Sequence, residues 1–102
     1  MDRIATLNEI LAQNPNDAFA RYGLAMEYSK ADDVEHAMEE FGKLLSANPD
    51  YTAGYFMAAQ TLDRAGRSED AKKMLNDGIA AARRAGNAHA LSEMQAMLEG
   101  LG

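Results

Sequence analysis

Two Asn-Pro pairs, Asn14-Pro15 and Asn48-Pro49, stand 34 residues apart, and the stretches around them repeat. A shift of 34 superimposes Leu11 on Leu45, Ala25 on Ala59, Ala31 on Ala65, Glu35 on Glu69 and Ala37 on Ala71. Conservative pairs fill the gaps: Tyr22 with Phe56, Tyr28 with Leu62, Lys30 with Arg64, Phe41 with Leu75. A fixed period of this length marks a solenoid, in which each unit buries its apolar face against its neighbours. Solenoids bind partners on an extended concave surface and seldom house chemistry.

Composition decides what the unit is made of. Alanine supplies 20 of the 102 residues, whereas Val, Ile and Thr together supply seven. Helices favour the alanine that is plentiful, and strands favour the β-branched residues that are scarce. Apolar spacing and punctuation predict six helices, over about 2–13, 17–31, 34–47, 51–65, 68–85 and 88–100. Pro15 and Pro49 break the chain, Asn16, Asp33 and Ser68 offer caps, and Gly66 and Gly86 offer left-handed ends. Ile4, Leu7, Ile10 and Leu11 form the apolar stripe of the first helix. Val34, Ala37, Met38, Phe41, Leu44 and Leu45 form that of the third, and Ala71, Met74, Leu75, Ile79 and Ala82 that of the fifth. The expected fold class is therefore all-α: one domain of about six helices, paired antiparallel in an α-solenoid.

The order small, aromatic, proline along each helix pair resembles the tetratricopeptide repeat (TPR) pattern. Leu24, Ala25 and Tyr28, then Ala37, Phe41 and Pro49, match it in the first repeat, while Arg21 stands where the family prefers a large aromatic. Tyr55, Ala59 and Leu62, then Ala71 and Leu75, match it in the second, where Arg83 replaces the closing proline. A two-residue extension then places Leu91, Met94, Gln95 and Leu98 in the first-helix signature of an incomplete third unit. The resemblance implies a right-handed superhelical stack, divided into a half repeat over 1–15, repeats over 16–49 and 50–85, and a capping helix over 88–100. Alanines at 25, 37, 59 and 71 would let helices approach closely, with large side chains filling the remaining space. Glycines inside helices, at Gly23, Gly42, Gly54 and Gly78, each cost about 1 kcal/mol against alanine. Close packing explains some of them, and Gly42 reads equally well as a tolerant surface position.

Charge narrows the partners. The net charge is −6, with ten acids and four bases in residues 1–50 and six of each in residues 51–102. A basic stripe, the footprint of a nucleic-acid binder, is missing, so no nucleic-acid partner is expected. No apolar run reaches the length of a membrane span, so no membrane partner is expected either. Without cysteine there is no disulfide framework, and Met-Asp-Arg-Ile lacks the basic start and apolar core of a secretion signal. Cytoplasm is the expected location.

Catalytic constellations are absent. His36 and His89 lie in different repeats with no nucleophile placed beside them, so a non-enzyme without cofactors is expected. Asp33, His36 and Glu40 share one helical face and have the residue types of a metal site. An exposed acidic helix start, favourable near the positive end of the helix dipole, explains them better.

Two surfaces remain. The TPR resemblance implies that the first helix of each pair lines an inner groove. Its residues would be Phe19, Tyr22, Met26, Ser29 and Lys30 from one repeat, and Ala53, Phe56, Gln60, Asp63 and Arg64 from the next. Some family members clamp a chaperone's terminal carboxylate there with lysine and asparagine. This chain instead has Tyr22, Met26, Phe56 and Met57, which suit an apolar protein or peptide segment. Alternatively, Tyr22 and Phe56 pack on each other and simply join adjacent helices. The second surface is the sixth helix, where Leu91, Met94, Met97, Leu98 and Leu101 span a wide apolar arc. Such an arc suits either intramolecular cover by the long fifth helix or a weak homodimer face.

Overall fold

Aspartates and left-handed residues set the helix limits. The computed structural model describes residues 2–101. Its elements are α1 (Arg3–Gln13), α2 (Ala18–Lys30), α3 (Val34–Ala47), α4 (Thr52–Arg64), α5 (Ser68–Ala85) and α6 (Ala88–Gly100). The side chains of Asp2, Asp17, Asp33 and Asn87 accept hydrogen bonds from first-turn amides of α1, α2, α3 and α6, satisfying donors that have no partner inside the helix. Two expected caps move. Asp17 rather than Asn16 caps α2, and Ser68 is already the first helical residue of α5. The cap position there belongs to Arg67, whose side chain turns to Asp70 at 2.8 Å.

The repeat is visible in the turns. Asp32 (φ 59°) and Gly66 (φ 78°) both adopt the left-handed conformation, 34 residues apart. In each turn the next amide reaches back five residues, Asp33 N to Tyr28 O and Arg67 N to Leu62 O, both at 2.9 Å. The carbonyls freed at the helix end are thereby satisfied. Gly86 (φ 67°) closes α5 in the same left-handed conformation.

Each helix packs on its successor, and α4 additionally touches both α2 and α6. Among the described residues no such direct approach joins α1 to α3 or α3 to α5. The even-numbered helices therefore crowd together while the odd-numbered ones splay apart, which makes the α2–α4–α6 side concave. Three core clusters follow the stack: Leu11, Ala20 and Leu24; then Ala25, Ala37, Phe41, Leu44 and Ala58; then a set that includes Ala59, Leu62, Ala71, Leu75, Ile79 and Met94. Ala25, Ala37, Ala59 and Ala71 are fully buried, as close helix approach requires. Ile10, expected inward, is 41% exposed, so Leu11 carries the buried contact of α1.

The four helical glycines divide by what a methyl group would meet. At Gly78 a Cβ would lie 2.5 Å from Met94 Sδ and 2.6 Å from Tyr55 Cβ, so α4, α5 and α6 meet where only glycine fits. At Gly54 it would lie 3.0 Å from the side chains of Leu44 and Leu45. Gly23 has ordinary room at 3.5 Å from Leu7, and Gly42 has nothing within 4 Å.

Candidate functional site

Successive turns of α4 project Phe56, Gln60 and Arg64 to the same side, four residues apart, because i and i+4 share a helix face. Opposite them α6 presents Glu93, Ala96 and Met97. Together with Asp63 they enclose an open concavity of about 630 Å³. A second, of about 310 Å³, continues past Phe56 toward α2 and is walled by Tyr22, Ala53, Met57 and Ala90. Phe56 and Glu93 border both chambers. The inner surface is thus one groove with two chambers.

Of the residues expected to line a groove, Tyr22, Ala53, Phe56, Gln60, Asp63 and Arg64 do so. The other four do not line either chamber. Phe19 is 79% exposed near the start of α2. Met26 is half-buried and packs on the middle core cluster. Lys30 is exposed, with its ammonium 3.4 Å from Glu27, whose carboxylate also meets Arg3 at 3.2 Å. Ser29, also read as inward, is buried.

Tyr22 stacks on Tyr51, not on Phe56. The ring centroids lie 5.4 Å apart with planes tilted by 42°. Burial, and secondarily the neighbouring Tyr51 phenol, raises the pKa of Tyr22 above its ordinary 10.0. Burial also raises that of Tyr51, with the Asp17 carboxylate adding to it. Phe56 has no ring partner among the described residues; it is half-buried against the α4–α5–α6 core cluster and borders both chambers.

Ser29 joins α2 to α4. Its Oγ lies 2.7 Å from Thr61 Oγ1, and Thr61 donates to Met57 O at 2.8 Å. Thr61 has one proton, so Ser29 must be the donor between the two hydroxyls. Arg64 Nη2 in turn donates to Ser29 Oγ at 2.6 Å and to Ser29 O at 3.2 Å. One relay therefore runs from the groove-lining guanidinium to the backbone of α4. Nothing in the spacing marks Ser29 as buried, because the residue 34 further on is the exposed Asp63.

α6 differs most from expectation. Met94, counted on a dimer face, is fully buried and sits over Gly78. That placement corrects the expectation, since a fully buried side chain offers nothing to a second chain. Leu91, Met97, Leu98 and Leu101 are half-buried and pack against the same core cluster of α4 and α5. Met97 also walls the larger chamber. The missed groove residues are Glu93 and Ala96, with Thr52, Asn87, His89 and Ala90 around the smaller chamber. A signal for two of them exists: the two-residue extension that aligns Leu91 with Tyr55 also aligns Glu93 with Met57 and Ala96 with Gln60.

The acidic start of α3 is local. His36 Nδ1 pairs with Asp33 Oδ2 at 2.7 Å, and the imidazole stacks on Tyr28 at 5.1 Å. Glu40 turns away to Arg21, so the three side chains do not converge on one point. No helix among the described residues is long and apolar enough to cross a membrane.

Known proteins share this arrangement. A family profile described as tetratricopeptide repeat matches residues 28–97. A TPR repeat-containing protein of Pseudomonas aeruginosa is 31% identical over 98 residues, which is 96% of this chain and 93% of that one. The solution structure of a tetratricopeptide repeat domain protein from Salinibacter ruber matches with a TM-score of 0.79 and 34% identity, over 86% of this chain and 89% of that one. PcrH, solved in complex with the chaperone binding region of PopD, matches with a TM-score of 0.86 over 96% of this chain and 74% of its own. At 17% identity that likeness speaks for the fold alone. The family profile covers well over half of the described residues, and the repeat register, paired turns and stacked helices agree with it: the chain belongs to the tetratricopeptide repeat family.

Proposed function

We propose that the protein is a non-enzymatic, cytoplasmic interaction module that holds a segment of another protein in the α2–α4–α6 groove. The observation that carries this reading is the position of Phe56 between two joined chambers of about 630 and 310 Å³. A half-buried aromatic bordering both chambers, with Met57 and Met97 beside it, suits an apolar segment, because thioethers repack around varied shapes. PcrH, of the same fold, is solved with a region of a second protein. The repeat register favours division into a half repeat, two full repeats and a capping helix, with the inner helix of each unit facing the ligand.

Affinity capture from native extract tests the proposal. A partner held in the groove is retained by the parent protein and lost by Phe56→Ala and Tyr22→Ala, because aromatic anchors dominate small interfaces. A specific partner bound equally well by both variants, with their helicity confirmed, would remove the groove from the function.

A further inference from the structure

Charge along the groove is uneven. Asp63 and Glu93 face the larger chamber from α4 and α6. Asp63 makes no ion pair among the described residues, and the ion-pair partner of Glu93 is the exposed His89 at 3.3 Å, cationic only when protonated. Arg64 is the one full cation lining that chamber, and two of its hydrogen bonds go to Ser29, which turns it toward α2. The larger chamber therefore combines an aromatic face, a thioether and two carboxylates lacking a fixed counter-charge. The smaller chamber is mainly apolar, with Tyr22, Met57 and Ala90 in its wall. On α4 the smaller chamber uses residues 52–57 and the larger one residues 56–64. A rise of 1.5 Å per residue puts their centres roughly 9 Å apart.

Resting on the groove reading above, we infer that the occupant is a basic-apolar peptide segment. An apolar side chain fills the smaller chamber, and an arginine about 9 Å further along reaches Asp63 and Glu93. Arginine fits better than lysine, since its planar guanidinium stacks on the face of Phe56 while its fork of donors meets two carboxylates. The net charge of −6 steers a basic segment toward the protein and repels an acidic one.

A random-peptide display library supplies the probe without knowledge of the natural partner. Selection on the parent protein, followed by removal of peptides that still bind Phe56→Ala, leaves only groove binders. These are expected to be enriched in arginine beside an apolar residue. Replacing that arginine with glutamine, or testing the parent peptide on the Asp63→Asn/Glu93→Gln protein, is expected to weaken binding roughly tenfold, with the loss shrinking as salt rises. Both carboxylates are on exposed residues, so the double variant keeps its fold, which circular dichroism verifies. Groove binders that are neutral or acidic, or that the double variant binds as tightly as the parent, overturn the charge preference and leave the groove standing. A selection that yields no Phe56-dependent binder overturns the groove itself.

Discussion

Arg21 Nη1 lies 2.6 Å from Glu40 Oε1, with the two side chains only 18% and 11% exposed. Tyr55 and Met74 hold the equivalent places 34 residues on, and both pack on the last core cluster. The likeness extends to the backbone. Arg21 Nη2 donates to Pro15 O at 3.2 Å, and Tyr55 Oη donates to Pro49 O at 2.8 Å. An ion pair thus occupies in one repeat the space that an aromatic and a thioether occupy in the next. Arg21, a departure from the family pattern in sequence, keeps the pattern's contact in space.

Arg21→Ala leaves the Glu40 carboxylate buried without its guanidinium, and is expected to cost about 2 kcal/mol. Arg21→Tyr with Glu40→Met installs the pair of the second repeat. Replacing a buried ion pair with packed apolar groups is often neutral, so this variant should return to within about 1 kcal/mol of the parent. Urea denaturation reads both. A double variant no more stable than Arg21→Ala would break the equivalence.

Glycine-to-alanine changes should differ in sign along one chain. Gly42→Ala meets nothing within 4 Å, so helix propensity alone acts and stability should rise by about 0.5–1 kcal/mol. Gly78→Ala drives a methyl into Met94 Sδ and Tyr55 Cβ, the latter with no freedom to swing aside. Overpacking of this kind costs about 1–3 kcal/mol and outweighs the propensity gain. Urea midpoints moving in the same direction for both variants would show that α6 seats elsewhere.

The Ser29–Thr61 bond predicts an energetic link between α2 and α4. In a cycle of Ser29→Ala, Thr61→Val and the double variant, the coupling should be about 1 kcal/mol, because each single change strands the other buried hydroxyl in part. Arg64→Ala should lower stability as well, since its guanidinium bonds Ser29. Additive stabilities within about 0.3 kcal/mol would mean the hydroxyls do not interact.

Helices and their register were legible because a 34-residue period constrains every position twice. The left-handed turn at Gly66 is plain from its residue type, and its equivalent at Asp32 follows from the register. Features that break the period were not legible. Ser29 is buried by a hydroxyl two residues out of register, at Thr61 rather than Asp63. The α6 arc was ambiguous because amphipathic spacing tells which residues share a face, not what covers it. Met94 is covered by the gap at Gly78, and that gap depends on how α5 and α6 cross. Groove walls from Glu93 and Ala96 needed the same crossing.

Asp33 supplies a pH-dependent contribution. The His36 backbone N–H, bonded to the Asp33 carboxylate at 3.2 Å, is the main cause that holds its pKa below the ordinary 3.8, with the His36 ring adding to it. A depressed carboxylate stabilises the fold above its unfolded pKa and loses that contribution as pH falls through the lower folded value. Asparagine caps without charge, so the stability gap between parent and Asp33→Asn isolates this term. The gap should be full near neutrality and close between about pH 5 and pH 2. A gap unchanged across that range would assign the cap no role for its charge.

α6 decides the state of assembly. Met94 is fully buried, while the outward positions Ser92, Gln95 and Glu99 are polar and exposed, as a solenoid end requires. The half-buried Leu91, Leu98 and Leu101 already pack on the α4–α5 core, so little apolar area is left for a second copy. The parent protein should therefore sediment as a monomer up to roughly 300 µM, far above the dissociation constant of a micromolar dimer. Met94→Glu should abolish folding, since it buries a charge with no partner. Met97→Ala should keep the helices and weaken groove binding, because Met97 walls the larger chamber and remains partly open to solvent. A concentration-dependent increase in sedimentation coefficient, abolished by Leu101→Glu in a folded protein, would return α6 to the role of a homodimer face.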